Sequence, residues 1–114
     1  MSAVYVTNIT INGGTDFTQV YELEDSTTNA ALNLSGYSIK AEMRKHPSAS
    51  GVTTFTSEIF GESTGRIKIG LSTSQTAALK EGRYVYDVVI TDPYSVMSRV
   101  VEGTALVRVG VTKF

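Results

Sequence analysis

The chain has no cysteine, no tryptophan, one histidine and two prolines among its 114 residues. Without cysteine it can form neither disulfides nor thiolate metal sites, and His46 alone cannot build a multi-histidine metal site. Ten Lys and Arg against eleven Asp and Glu leave a net charge of −1. This balance argues against a polyanion-binding surface, because phosphate affinity needs clustered positive charge. These absences predict a soluble globular domain whose stability comes from its core alone.

Long apolar runs are also missing. No stretch approaches the roughly 20 apolar residues that span a bilayer. Residues 1–8 lack a basic segment followed by an apolar one, so no signal peptide is expected. We expect a protein made in the cytoplasm of its host. The length suits one domain over residues 1–114, with a short N-terminal extension and a C-terminal one at about residues 110–114.

Apolar and polar residues alternate along most of the chain, which is typical of strands with one buried face. The pattern is clearest where Tyr37, Ile39, Ala41 and Met43 share one face. The same analysis predicts further strands at residues 4–11, 16–24, 53–60, 66–71, 83–91 and 97–109. Phe60 breaks the alternation, so we expect a bulge or a strand end there.

One short helical segment interrupts this pattern at residues 72–80, with Ser and Thr as candidate caps and Gly82 as its stop. Two turns are too few for a stable isolated helix, so the segment must dock through Leu79 and Thr76. Tyr84 follows early in the next strand and is a candidate for a tyrosine corner, which is a hydrogen bond back to the preceding connection. Gly103 is the expected place for a bend in the long last strand.

About seven strands, one helical turn before the Tyr84 strand and no β-α-β alternation predict an all-β fold. The expected architecture is an immunoglobulin-like antiparallel β-sandwich. Such a sandwich has open edge strands, which can pair with a neighbouring chain. The N-terminal strand and residues 109–114 are the natural places for such contacts.

Few titratable residues are placed for catalysis. Asp87 and Glu102 lie on neighbouring predicted strands, and facing carboxylates about 5–9 Å apart are typical of glycoside hydrolysis. Asp87 alternates with the tyrosine face, however, so cross-strand pairing with Arg83, Arg99 or a lysine is the favoured interpretation. His46 lies in a Pro/Ser loop with no nucleophile motif beside it. We therefore expect no catalytic residues and no enzymatic activity.

Binding sites for small ligands have equally weak signals. Glu22, Glu24 and Asp25 form a charge cluster, but calcium takes six to eight oxygens from a dedicated loop, so a solvated strand end is expected. A carbohydrate platform would use exposed aromatic residues, and only Tyr94 and Phe114 fall outside core faces. We expect no metal and no cofactor, and neither a nucleic-acid nor a membrane partner. A carbohydrate- or receptor-binding sandwich stays open as the alternative function.

Several segments, taken in order, resemble a family of phage structural proteins. They are residues 34–37 (LSGY), 41–45 (AEMRK), 65–69 (GRIKI), 75–79 (QTAAL), 82–88 (GRYVYDV) and 99–103 (RVVEG). This ordered set is similar to the N-terminal β-sandwich domain of phage baseplate upper proteins and to small virion structural proteins of cyanophage-like myoviruses. The resemblance extends over about residues 9–109.

The resemblance implies a non-enzymatic structural or assembly component of a tailed-phage virion. Such a component would be a tail, baseplate or fibre adaptor, or a capsid decoration, docked by its edge strands and termini. Its expected partners are other virion structural proteins, within a homo-oligomer or another symmetric assembly. Its expected location is the virion.

Overall fold

The computed structural model describes residues 5–25 and 28–112, and within them nine strands form two sheets. The strands are β1 (Tyr5–Val6), β2 (Ile9–Asn12), β3 (Phe17–Glu22), β4 (Ser38–Arg44), β5 (Thr53–Thr54), β6 (Thr56–Gly61), β7 (Arg66–Leu71), β8 (Gly82–Thr91) and β9 (Met97–Arg108). A 3₁₀ turn covers Glu62–Thr64, and a short helix, α1, covers Thr73–Ala77.

The larger sheet has six strands in the order β1–β9–β8–β4–β5, with β2 also paired to β9. The smaller sheet has the order β3–β7–β6. Neighbouring strands run antiparallel, except that β1 and β2 run parallel to β9. The chain crosses between sheets after β2, β3, β5 and β7, as it does in immunoglobulin-like sandwiches. The predicted all-β sandwich is confirmed.

Two of the predicted strands are each divided in the structure, which raises the strand count from seven to nine. The first is interrupted at Thr7 and Asn8, and its Val4 lies outside the described residues. The other is interrupted at Phe55, which is buried and donates its backbone N–H to the Ala41 carbonyl at 2.9 Å. Because β5 pairs with β4 and β6 pairs with β7, this segment changes sheet at Phe55.

Two strands contain register shifts. The bulge predicted near Phe60 is confirmed, since the register of β6 shifts between Ile59 and Gly61. A second shift lies in β9, where Val100 is an extra residue in the pairing with β8. A bulge lets consecutive residues face the same side, and both Val100 and Val101 are buried.

Gly103 has a different role from the predicted bend. It stays in register opposite Tyr86, and the irregularity of its strand lies at Val100 instead. A Cβ atom at Gly103 would collide with the backbone carbonyl of Thr7. The missing side chain therefore lets the break between β1 and β2 pass close over β9.

The core lies between the two sheets and takes alternate residues from their strands. In β4 the predicted face is confirmed, with Ala41 and Met43 buried and Tyr37 and Ile39 half-buried at its start. Each fully buried aliphatic side chain contributes about 1.5–3 kcal/mol to folding. The buried apolar residues are Ile9, Ile11, Leu23, Leu34, Ala41, Met43, Phe55, Ile67, Ile69, Leu71, Tyr86, Val88, Ile90, Val100, Val101, Ala105 and Val107.

The helix α1 is shorter than the predicted segment but begins as expected. Ser72 caps it in a capping box with Gln75, so two otherwise unpaired backbone N–H groups are satisfied. Thr76 is fully buried and Leu79 packs against the core, which confirms the predicted docking. Within the described ranges no helix is both long and apolar enough to cross a membrane.

The tyrosine corner is also confirmed. The Tyr84 hydroxyl donates to the Lys80 carbonyl at 2.8 Å, so β8 is tied to the connection that follows α1. The Lys45 ammonium lies 4.4 Å from the centre of the Tyr84 ring, on a loop of the neighbouring strand. These contacts fix the crossing from the smaller sheet to the larger one.

Candidate functional site

Three carboxylates form a row across the outer face of the larger sheet. Glu42 on β4 lies opposite Asp87 on β8, and Asp87 lies opposite Glu102 on β9. The row continues to Val6 on β1, which is exposed and lies beside Glu102. Successive strand residues face opposite sides, so the buried neighbours Val88 and Val101 place these carboxylates on the solvent side.

Arg99 joins two members of this row. Its Nε lies 3.2 Å from Asp87 Oδ2, and its Nη1 lies 3.7 Å from Glu102 Oε2. The predicted pairing of Asp87 with Arg99 is confirmed. Arg83, the other arginine considered for this role, lies opposite Leu106 at the far end of β8. The two carboxylates that resembled a hydrolase pair therefore share one arginine.

Glu42 has two cations of its own, both on the same strand. Lys40 Nζ lies 3.5 Å from Glu42 Oε2, and Arg44 Nη2 lies 3.3 Å from Glu42 Oε1. Arg44 Nη1 donates to the Ala49 carbonyl at 2.8 Å, which fixes the guanidinium against the β4–β5 loop. Sequence reasoning did not place Glu42 in this row, because only the β4–β8 register brings it beside Asp87.

This face forms an open depression of about 540 Å³, bordered by the carboxylate row, Pro47 and Thr104. Every carboxylate in it has a cation of the same chain within 4 Å. Exposed ion pairs of this kind each contribute about 0–1 kcal/mol. In the described ranges, no group of three or more His, Cys, Asp or Glu is arranged to hold a metal ion. The arrangement is an ion-pair network at the surface.

The charge cluster considered for calcium is divided among separate contacts. Glu22 forms an ion pair with Arg66 on the adjacent strand at 3.2 Å. Glu24 lies at an isolated β-bridge with Ala31. Asp25 is half-buried in the loop that follows, where its backbone N–H donates to the carbonyl of residue 30. These contacts hold the end of β3 in place.

The residues predicted to lie in exposed loops do so where the structure describes them. His46 is exposed in the β4–β5 connection. Tyr94 is 88% exposed in the β8–β9 turn, where Asp92 Oδ1 accepts its backbone N–H at 2.9 Å. Phe60 is also exposed, but on the outer face of the smaller sheet, and Phe114 lies outside the described residues. Tyr94 and Phe60 therefore do not share a binding face.

A pair of tyrosines, the half-buried Tyr21 and the buried Tyr86, links the two sheets, and sequence reasoning missed it. The Tyr86 hydroxyl donates to the Thr7 carbonyl at 2.7 Å. Because this bond uses the only proton of the Tyr86 hydroxyl, the Tyr21 hydroxyl is the donor in the 2.8 Å hydrogen bond between the two tyrosines. Burial, reinforced by donation to Tyr86, raises the pKa of Tyr21. Burial also raises the pKa of Tyr86, and the bond accepted from Tyr21 opposes that rise.

Asn8 takes the place of the Thr7 carbonyl in the strand ladder, because that carbonyl accepts a hydrogen bond from Tyr86 instead. Thr7 donates its N–H to the Glu102 carbonyl at 2.9 Å, as a parallel ladder requires. The next bond of the ladder would run from the Thr104 N–H to the Thr7 carbonyl, but it runs to Asn8 Oδ1 at 3.1 Å instead. The one sequence signal for this break is an asparagine, a residue depleted in strands, inside an otherwise β-prone segment.

The outer edge of β3 is the longest uninterrupted edge of either sheet. Among residues 5–25 and 28–112, β3 pairs only with β7. Leu23 donates its N–H to the Gly65 carbonyl at 2.8 Å, which places the odd-numbered residues of β3 in the hydrogen-bonded pairs with β7. The N–H and C=O groups of Thr18, Val20 and Glu22 therefore point away from the sheet.

Comparisons with known proteins add no family assignment. No protein-family model matches the chain, and no curated protein matches it. An internalin-like protein, lmo2027, of Listeria monocytogenes is similar in structure with a TM-score of 0.43 and 15% identity. A family 123 glycoside hydrolase from Clostridium perfringens gives a TM-score of 0.40 and 14% identity. Both likenesses cover 94% of this chain, but only 28% and 23% of those longer chains.

Proposed function

We propose that this protein is a non-enzymatic structural component of a tailed-phage particle. It would act as a tail, baseplate or fibre adaptor, or as a capsid decoration, and reside in the virion. It attaches to other virion structural proteins, including copies of itself in a symmetric assembly, through sheet edges. Neither nucleic acid nor membrane is among the proposed partners.

The observation that carries the assembly role is the open edge of β3. The charged side chains on the outer face of the larger sheet are engaged with one another, as Arg99 with Asp87 and Glu102 illustrates. In β3, by contrast, the backbone N–H and C=O groups of Thr18, Val20 and Glu22 point outward from the sheet. Unpaired strand edges form hydrogen bonds with a neighbouring chain, and assemblies use them in this way.

The phage context rests on the ordered resemblance of the sequence. Its segments fall on elements that position the fold: residues 82–88 open β8 with the tyrosine corner, and residues 99–103 lie in β9. Residues 75–79 include the docked part of α1. The resemblance thus follows the architecture along the chain, which supports a common sandwich with a common assembly role.

The protein's presence in purified particles tests this proposal. Phage particles that carry the gene would be purified by density gradient and washed in high salt, and their proteins quantified by mass spectrometry. We expect the chain to remain with the particles at a fixed ratio to the major structural proteins. A non-structural protein of the same phage serves as the control and must be lost on purification. Loss of this chain together with that control would refute the proposal.

A further inference from the structure

The sheet edges of this sandwich differ in how well they are protected. The β1–β2 edge is broken at Thr7, where the carbonyl turns inward to Tyr86. The β5 edge is only two residues long. The β6 edge carries a bulge, and its Ser57 hydroxyl donates to the Ile39 carbonyl on β4 at 3.5 Å. Breaks, short strands and bulges are the devices by which proteins prevent edge pairing.

The β3 edge has none of these devices. It is six residues long, in unbroken register with β7, and its sequence FTQVYE contains no lysine, proline or glycine; its one charged residue, Glu22, is paired with Arg66. Val20, at its centre, is 43% exposed on the outer face. Of its outward groups, the Val20 carbonyl accepts an exposed bond from the Gln19 side chain at 3.3 Å, which a partner strand's N–H would replace. This edge is ready to accept another strand.

We propose that β3 pairs antiparallel with β3 of a second copy of this chain, about a two-fold axis at Val20. The two smaller sheets then join into one continuous sheet with the strand order β6–β7–β3–β3–β7–β6. This proposal deepens the proposed function, because it names the edge and the partner, but its geometry comes from the edge itself.

The register of the β3–β3 pair follows from the outward backbone groups of Thr18, Val20 and Glu22. With the axis at Val20, each Val20 lies opposite its counterpart, and Thr18 of one copy lies opposite Glu22 of the other. All three outward residues of both copies then exchange N–H···O bonds, because antiparallel hydrogen-bonded pairs bond in both directions. A shift in either direction leaves part of this set without an opposite residue in β3, so the Val20 register forms the most bonds.

Side chains on the outer face favour the same register. It brings the two exposed Val20 side chains together, which removes apolar surface from water. Glu22 already pairs with Arg66 at 3.2 Å, and it meets Thr18 of the other copy, a neutral hydrogen-bonding residue. An axis at Glu22 would instead set like charges directly opposite one another, which destabilises strand pairs. The contact between the two Val20 side chains therefore favours a second copy as the occupant, while just beyond the ends of β3 the same register places Asp16 of one copy opposite Glu24 of the other.

Self-association in solution is the first test. Light scattering coupled to size-exclusion chromatography would measure the mass of the full chain over a wide concentration range. We expect wild type to form dimers as concentration rises, and Val20→Lys to stay monomeric because two lysines would face each other at the axis. Val52→Lys is the matched control, since Val52 is 45% exposed but lies beside the short β5 edge. Thermal melts would establish that both variants are folded.

Cysteine crosslinking tests the register, because the natural chain has no thiol of its own. Cα atoms of a hydrogen-bonded antiparallel pair lie about 5.5 Å apart, within the range that a disulfide bridges. Val20→Cys should therefore form a covalent dimer on mild oxidation. Thr18→Cys should not, because its counterpart would lie four residues away along the strand, about 13 Å.

The outcomes separate this inference from the proposed function. A wild type that is monomeric at every concentration, a dimer that survives Val20→Lys, or crosslinking through Thr18→Cys equal to that through Val20→Cys would each overturn the β3 pairing. A protein found in particles but monomeric in solution would leave the virion role standing and remove only the self-pairing. A protein that dimerises through β3 but is absent from particles would leave the self-pairing standing and remove the virion role.

Discussion

At the scale of single residues, one break in an edge strand involves three other residues, namely Tyr86, Asn8 and Gly103. The Thr7 carbonyl leaves its ladder and enters the sandwich. Tyr86 satisfies it there, Asn8 replaces it in the ladder, and Gly103 leaves the space through which it passes. A buried carbonyl without a partner would cost about 1–3 kcal/mol, so these residues act as one unit.

Replacement of the two tyrosines tests this unit. Tyr86→Phe leaves both the Thr7 carbonyl and the Tyr21 hydroxyl without a partner, so we expect a loss of about 1–3 kcal/mol in the free energy of unfolding. Tyr21→Phe leaves the Tyr86–Thr7 bond in place and should cost less, about 0.5–1.5 kcal/mol. Chemical denaturation of both variants measures the difference. Equal losses, or a larger loss for Tyr21→Phe, would contradict the assigned donor order.

At the scale of elements, strands with one buried face could be predicted and breaks could not. Alternation located β4, β7 and β8 to within a residue or two, because side-chain burial alone sets that pattern. Tyr84 could be predicted as the corner because its partner lies four residues away in sequence. The change of sheet at Phe55 depends on the register of β4, which no local pattern encodes.

The helix α1 shows how such an element is held. Five residues are too few for a stable helix by themselves, so its contacts must supply the stability. The buried Thr76 hydroxyl accepts the Gly14 N–H at 3.0 Å and donates to the Thr15 carbonyl at 2.7 Å. Asp16 Oδ1 also accepts the N–H of Thr73 at 2.9 Å. The helix is thus bound to the β2–β3 turn, more than fifty residues away in sequence.

Thr76→Val removes that connection while keeping the shape of the side chain. It leaves the Gly14 N–H and the Thr15 carbonyl unpaired, so we expect a loss of about 1–3 kcal/mol in unfolding free energy. Thr10→Val is the control: Thr10 is exposed on β2, and the change should stay within about 0.5 kcal/mol. Hydrogen exchange at Gly14 should also quicken in Thr76→Val. A Thr76→Val protein as stable as the control would show that hydrophobic docking alone holds α1.

At the scale of the molecule, the candidate site was predictable in part. Alternation placed Asp87 outward, with Arg83, Arg99 or a lysine as its expected partner, and the structure shows Arg99 in that role. The full row could not be predicted, because Glu42 joins it only through the β4–β8 register, and β1 borders it only through a parallel pairing with β9. The same limit applies to Tyr21 and Tyr86, which were placed on core faces of different strands but not against each other. Contacts between the two sheets could not be predicted, because they depend on how the sheets pack in the folded sandwich.

That assembled sandwich should lose stability in alkali because of the same two tyrosines. Their folded-state pKa values are raised above the ordinary value of 10.0, by burial first. Above about pH 10 the unfolded chain releases these protons while the folded protein retains them, so stability is full below that pH and falls as the pH rises. The slope reaches at most about 1.4 kcal/mol per pH unit for each tyrosine.

Denaturation midpoints measured from neutral pH to strongly alkaline pH would show this loss, with tyrosinate absorbance following ionisation. Tyr21→Phe should start from lower stability but lose it less steeply, because one buried proton no longer has to be released. Tyr94→Phe provides the matched control, since Tyr94 is exposed in both the folded and the unfolded chain and should leave the slope unchanged. Equal slopes for Tyr21→Phe and Tyr94→Phe would mean that Tyr21 ionises as readily in the folded protein as in the unfolded chain, and would contradict its raised pKa.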